Sequence, residues 1–250
     1  MCDLVARGSQ TARAGFRNED DVVSKFNEWK NDETAQEWLK SMNYVIEDIE
    51  SVNAEKVTGH FKADVQVRVE IKLTNLQDVQ NLQVKLVSNQ SGFNQIDKRW
   101  VEKYKELWNF DDSIERLLKH FTGEIKPCIS NPRDSRRMFM DEFTENEKNI
   151  ILDFFKDNKI QVVTDILKGR GKFAAEWFLV IRKIDENTSD WVLKPINYVM
   201  NFFGNGEVQV TSKGSLKIGN ISLQRKGGDS GRPTANMLQF KIDPTKLFSA

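Results

Sequence analysis

Apolar residues recur along this chain with two different periods, and the period changes where the elements change. Glu19, Asp20 and Asp21 suit the positive end of a helix, and Val22, Val23, Phe26 and Trp29 follow them at helical spacing. Asn18 is the N-cap that this pattern predicts. A second helix is predicted through Ala35, Trp38, Leu39 and Met42. From Ser51 to Val87 the pattern becomes strand-like alternation, interrupted near Thr74-Asn75-Leu76-Gln77-Asp78. Helical spacing returns through Trp100, Tyr104 and Leu107, and again through Ile114, Leu117 and Leu118. Lys126-Pro127 through Asn131-Pro132 reads as a loop. Glu145 to Asp157 is the next predicted helix, with Ile150, Ile151, Phe154 and Phe155 on one side.

The last third changes character. Glu176 to Ile184 is strand-like, and Pro195 to Phe203 is predicted helical. Short strands then alternate with glycine turns: Glu207–Val210, Ser215–Ile218, Ile221–Gln224 and Met237–Ile242. Of the 14 glycines, half lie between Gly204 and Gly231. The expected fold class is α/β, a central mixed β-sheet flanked by helices with a glycine-rich C-terminal β-meander. A single domain over residues 1–250 is expected, its core sheet at about 51–90.

Composition narrows the function classes. The chain has 250 residues, 39% hydrophobic and 30% charged, which suits a globular core. No run of about eighteen apolar residues offers a membrane span, and the N-terminal residues lack the apolar centre of a signal peptide. The two cysteines, Cys2 and Cys128, make neither a disulfide framework nor a cysteine-based zinc site. A reducing, cytoplasmic location is expected. No Walker-type glycine loop appears, so no nucleotide cofactor is expected. The net charge is zero, but its distribution is uneven. Between Ser212 and Lys241 stand Lys213, Lys217, Arg225, Lys226, Arg232 and Lys241 against one acid, Asp229. A neutral protein with such a stretch can present a basic face to nucleic acid.

The candidate chemistry lies in two strand-like runs. Phe61 to Val69 carries Asp64, and Asn81 to Val87 carries Gln83, Val84 and Lys85. Residues two apart on a strand share a face, so Gln83 and Lys85 point together and Val84 points away. Asp64 supplies an anionic oxygen, Gln83 an amide oxygen and Val84 a backbone carbonyl, a set that suits one or two Mg2+ ions. Lys85 could orient or deprotonate a water, or hold a phosphate oxygen. A solvated Asp–Lys pair is the bland alternative. This is the pattern written PD…(D/E)xK, with glutamine in the acidic slot. Glu19, in Gly15-Phe16-Arg17-Asn18-Glu19, could supply the missing charge or be a plain helix-terminus acid. Glu70 is a weaker candidate. His60 and His120 match no metal or triad spacing.

Many blocks of the chain resemble the small type II restriction endonucleases of the PD-(D/E)xK superfamily that cut GCGC, the HinP type. They include Gln83-Val84-Lys85-Leu86-Val87-Ser88-Asn89, Gly92-Phe93-Asn94-Gln95-Ile96-Asp97-Lys98 and Arg136-Arg137-Met138-Phe139-Met140. Thr164 to Leu167, Gly169-Arg170-Gly171, Phe173 to Trp177, Gln224 to Asp229 and Thr234 to Asp243 continue the series. In that family the acidic slot is also glutamine. The resemblance implies a restriction-endonuclease-like fold, a prokaryotic source, double-stranded DNA as partner and magnesium as cofactor. It implies catalytic roles for Asp64, Gln83 and Lys85. The sequence leaves monomer and homodimer both open.

Such an enzyme must also read bases. Arg225, Lys226 and Gly227 stand in a loop whose glycines allow close backbone approach, and Lys168 to Lys172, with Arg170, has the same form. Recognition elements are expected at about 91–98, 168–172 and 204–242. Within the first, Asn94, Gln95 and Lys98 can contact DNA, and Phe93 is either a wedge between base steps or a core anchor. Arg133, Arg136 and Arg137 are candidate phosphate contacts. The small, polar, basic Gly8 to Arg13 stretch suits a backbone or minor-groove contact, or is simply a mobile terminus. A structure-specific nuclease and a DNA-binding protein without catalysis are the rival readings.

Overall fold

The computed structural model describes residues 17–59, 61–72, 76–88, 92–185, 188–228 and 231–250. His60, Asp229 and the Gly8 to Arg13 stretch lie outside them. The chain forms two compact units. Of the described residues, one comprises those from Arg17 to Gly92, with Leu167–Val199 and Asp243–Ala250; the other comprises Phe93–Ile166 and Met200–Ile242.

The first unit is built on a five-stranded mixed sheet, in the order β1 (Ile49–Lys56), β2 (Val65–Ile71), β3 (Leu76–Val87), β5 (Trp177–Lys183), β6 (Ser189–Pro195). β1, β2 and β3 pair antiparallel, β3 pairs parallel with β5, and β5 pairs antiparallel with β6. Alternation dictates what each face carries. Val65, Val67, Leu82, Val84 and Leu179 face a core with Val22, Phe26, Trp38 and Leu39. Those four come from α1 (residues 17–27) and α2 (Glu33–Ser41). Asn18 lies inside α1 and is buried, so it does not cap the helix: Arg17 before it is already helical. Asp32 caps α2 by accepting from the Ala35 N–H at 2.9 Å.

The second unit holds an antiparallel sheet, in the order β4 (Asn94–Arg99), β10 (Leu238–Ile242), β9 (Ile221–Arg225), β8 (Leu216–Ile218), β7 (Val208–Val210). The last four are the expected meander. β4 is an addition: residues 91–98 were expected to be a recognition element, with no strand assigned to them. Leu223, Leu238, Phe240 and Ile242 are fully buried. Phe240 meets Tyr104 and Trp108 edge-on at 5.4 and 5.8 Å. Those rings come from α3 (Val101–Trp108), which is followed by α4 (Asp112–Thr122), α5 (Glu145–Asp157) and α6 (Lys159–Leu167). α7 (Ile196–Gly204) follows β6.

The other face of this sheet is polar. Gln239 pairs across with Lys98 and with Gln224, and Lys241 pairs with Gln95 and with Ser222. Paired residues share a face. Gln95 and Lys98 are three apart and would lie on opposite faces of a regular strand. The register shift between Phe240 and Lys241 leaves Ile96 as an extra residue in β4, which puts both on the polar face.

Candidate active site

Asp64 stands where β2 begins. Its backbone N–H donates to the Leu82 carbonyl at 2.7 Å, and its Oδ2 accepts from the Val84 N–H, also at 2.7 Å. The side chain thus takes a ladder position that a neighbouring strand would otherwise fill. A strand residue directs its N–H and C=O to the same side, so the Val84 carbonyl faces the Asp64 edge as well. The Val84 side chain turns away into the core.

On the face opposite Val84 are Gln83 and Lys85. Lys85 Nζ lies 3.5 Å from Asp64 Oδ2, with both side chains mostly buried. Gln83 is 3% exposed, and its Oε1 is buried with no hydrogen-bond partner among the described residues. An orphaned buried carbonyl costs about 1–3 kcal/mol, so it is a signal that something else binds there.

Glu19 on α1 belongs to the same neighbourhood. Burial pushes its carboxyl up, the Asp64 charge adds to that, and Lys56 and Lys85 oppose it. Lys56 Nζ is 3.7 Å from Glu19 Oε2 and 3.0 Å from Asp20 Oδ1. The described residues contain no group of three or more His, Cys, Asp or Glu side chains arranged for a metal. A cation here would therefore draw on neutral oxygens. The Asp64 carboxylate, the unpartnered Gln83 amide oxygen and the Val84 carbonyl form an all-oxygen set, which fits a hard divalent ion.

The Arg170 loop borders this site. Ala63 N–H donates to the Phe173 carbonyl at 3.3 Å, and Asn81 Nδ2 donates to the Lys172 carbonyl at 3.0 Å. Phe61 and Phe173 rings meet at 4.7 Å. Gly169 has φ +77° and packs so close to Lys62 that an added Cβ would lie 2.5 Å from its Cγ. Arg170 is exposed at the tip.

The remaining candidates fall in the second unit. Phe93 is 60% exposed, so it does not anchor its loop in the core. Gln95 and Lys98 are exposed on β4, and Asn94 is half-buried. Gly227 and Gly228 have φ of +67° and +64°, which shapes the turn after Arg225 and Lys226 for glycine. Arg225 donates from Nε and Nη2 to Asn236 Oδ1 at 3.2 and 2.8 Å, and Asn236 Nδ2 donates to the Gly123 carbonyl at 2.9 Å. The Arg133 and Arg137 guanidiniums lie 4.1 and 3.9 Å over the Phe139 ring. Burial, then the nearby Arg225 charge, lowers the pKa of Arg137. Arg136 grips both oxygens of Asp134 at 2.8 Å. His120 is structural, its Nδ1 bonded to the Lys126 carbonyl at 2.8 Å. Glu70 is occupied by the Ser51 hydroxyl at 2.9 Å.

Gln239 is a residue that the sequence did not reveal. It is 5% exposed and donates from Nε2 to Gln95 Oε1 at 2.7 Å. It reads as one more core position within the mostly apolar run Leu238–Ile242, and its partner is 144 residues away.

This architecture is that of a restriction endonuclease. The fold is similar to restriction endonuclease MspI, solved in complex with its cognate DNA, with a TM-score of 0.67 at 15% identity over 95% of this chain and 92% of that one. Residues 42–248 match the family described as R.HinP1I restriction endonuclease. The chain belongs to that family, and it is a type II site-specific DNA endonuclease. No curated protein is similar to it in sequence. No helix among the described residues is long and apolar enough to cross a membrane.

Proposed function

We propose that this endonuclease hydrolyses both strands of duplex DNA at GCGC, using magnesium held by Asp64, Gln83 and the Val84 carbonyl, with Glu19 as an auxiliary anion. The observation that carries the metal reading is the unpartnered Gln83 oxygen beside the Asp64–Lys85 pair. When bound, the ion would neutralise phosphodiester charge and lower the pKa of an attacking water. Asp64 is held rigid by the Val84 N–H, so its second oxygen keeps a fixed direction. Lys85 brings an ammonium whose three donors suit a non-bridging phosphate oxygen. Arg170, on the loop beside Asp64, contacts the flanking backbone.

Recognition is assigned to the second unit. Gln95, Lys98, Lys226 and Arg225 meet base edges, since Arg or Lys to guanine is the commonest specific contact in the major groove. Asn94 and the Gly227 backbone support them. Phe93 is exposed, which fits an apolar wedge. MspI was crystallised on its cognate DNA, and the R.HinP1I family match supports the GCGC site.

The test is digestion of plasmid DNA with magnesium, followed by sequencing of the ends. Discrete fragments ending within GCGC are expected. Nicking only at mismatches or junctions, or binding without cleavage under every divalent ion, would refute the proposal.

A further inference from the structure

A buried glutamine with an unsatisfied oxygen is poor design for stability alone. Gln239 Oε1 is buried without a partner among the described residues, while its neighbours Leu238 and Phe240 are fully buried apolar residues. Leucine at this position would fill similar space without stranding a polar atom. Among the described residues, the Gln239 side chain makes one hydrogen bond, to Gln95, which is exposed.

That bond has a chemical consequence. A glutamine amide has one acceptor oxygen and two N–H donors on its nitrogen. The Gln239 donor takes one of the two lone pairs of the Gln95 oxygen and turns that oxygen toward β10, so the outward edge of Gln95 offers N–H donors. Guanine presents two acceptors in the major groove, N7 and O6, whereas bidentate pairing of glutamine with adenine needs an acceptor for the N6 amino group. An amide pinned through its oxygen matches guanine and mismatches adenine.

We propose that Gln239 is a positioning residue for specificity: it fixes the Gln95 amide with its donors outward, so that Gln95 selects G·C over A·T. The proposal rests on the reading that Gln95 contacts base edges. The β4 bulge contributes by keeping Gln95 and Lys98 on one face, with Gln239 directly across from Lys98.

The experiment compares wild type, Gln239→Leu, Gln239→Met and Gln95→Ala. Each is melted, and each is used to digest duplexes carrying GCGC or GCGC with single G·C to A·T replacements. Gln239→Leu and Gln239→Met should melt at or above wild type. Their preference for GCGC should fall about tenfold through faster cutting of the A·T-containing duplexes, as expected when one base contact is relaxed. Unchanged preference in both variants while Gln95→Ala relaxes it overturns the role of Gln239 alone. Gln95→Ala without effect on preference removes the base contact and the proposal together. Lower melting with an equal loss on all duplexes, or failure of both Gln239 variants to fold, makes the residue structural and also overturns it.

Discussion

The Val84 backbone N–H donates to the Asp64 carboxylate at 2.7 Å, so the candidate metal ligand is itself part of the sheet's hydrogen-bond ladder. Removing that side chain has two separable effects. Asp64→Ala should abolish cleavage in magnesium while specific binding persists, because no base contact is lost. It should also cost about 1 kcal/mol of stability, the usual value of a hydrogen bond. Gel shift on a GCGC duplex, plasmid digestion and urea unfolding check these three outcomes. Retained cleavage would sink the assignment.

Gln83 offers the opposite signature. Its unpartnered oxygen is a liability in the free protein, so Gln83→Leu should unfold at the same or higher denaturant concentration. Cleavage should fall by about 100-fold or more, since a metal ligand contributes several kcal/mol to the transition state. A variant that is less stable but equally active would show that Gln83 has only a packing role.

Arg137 carries a half-buried guanidinium over Phe139, with Asp134 at 4.0 Å as its ion pair. Such a group suits a DNA phosphate. Arg137→Ala should weaken binding to cognate and random duplexes by the same factor. It should also reduce the slope of log affinity against log salt by about 1. Binding isotherms at four salt concentrations on both duplexes would decide; a loss confined to the cognate duplex argues against a phosphate contact.

Asp134 is held well below the usual carboxylate range, from 3.8 to about 2, first by its bonds to Arg136. A depressed carboxyl contributes stability above its unfolded pKa, and that contribution is lost as pH falls toward the folded one. Asp134→Asn should therefore be less stable than wild type at neutral pH, with the gap closing between about pH 4 and pH 2. Unfolding curves across that range test it, and a pH-independent gap would contradict it.

The strands of the meander and the sheet around Asp64 were legible because alternation over buried positions leaves a period-2 trace. β4 was not, because Asn94–Arg99 holds one apolar residue, Ile96, and that residue lies in a bulge. α6 was missed because Asn158 alone separates it from α5. Asp64, Gln83 and Lys85 could be picked out because polar residues at strand spacing stand out among valines. The Asp64–Val84 bond and the Gln95–Gln239 pair could not, since a backbone donor leaves no mark in composition and tertiary partners leave none in local pattern.

The parallel pairing of β3 with β5 joins Val84 to Leu179, 95 positions later in the chain (179 − 84). During synthesis, β3 waits with one edge unpaired until that later segment has left the ribosome. Closing so long a loop before any contact rewards it is slow. A nascent polypeptide therefore holds the candidate site residues Gln83 and Lys85 on an incomplete scaffold while about 95 further residues are added, and any cleavage that depends on them waits until the fold has closed.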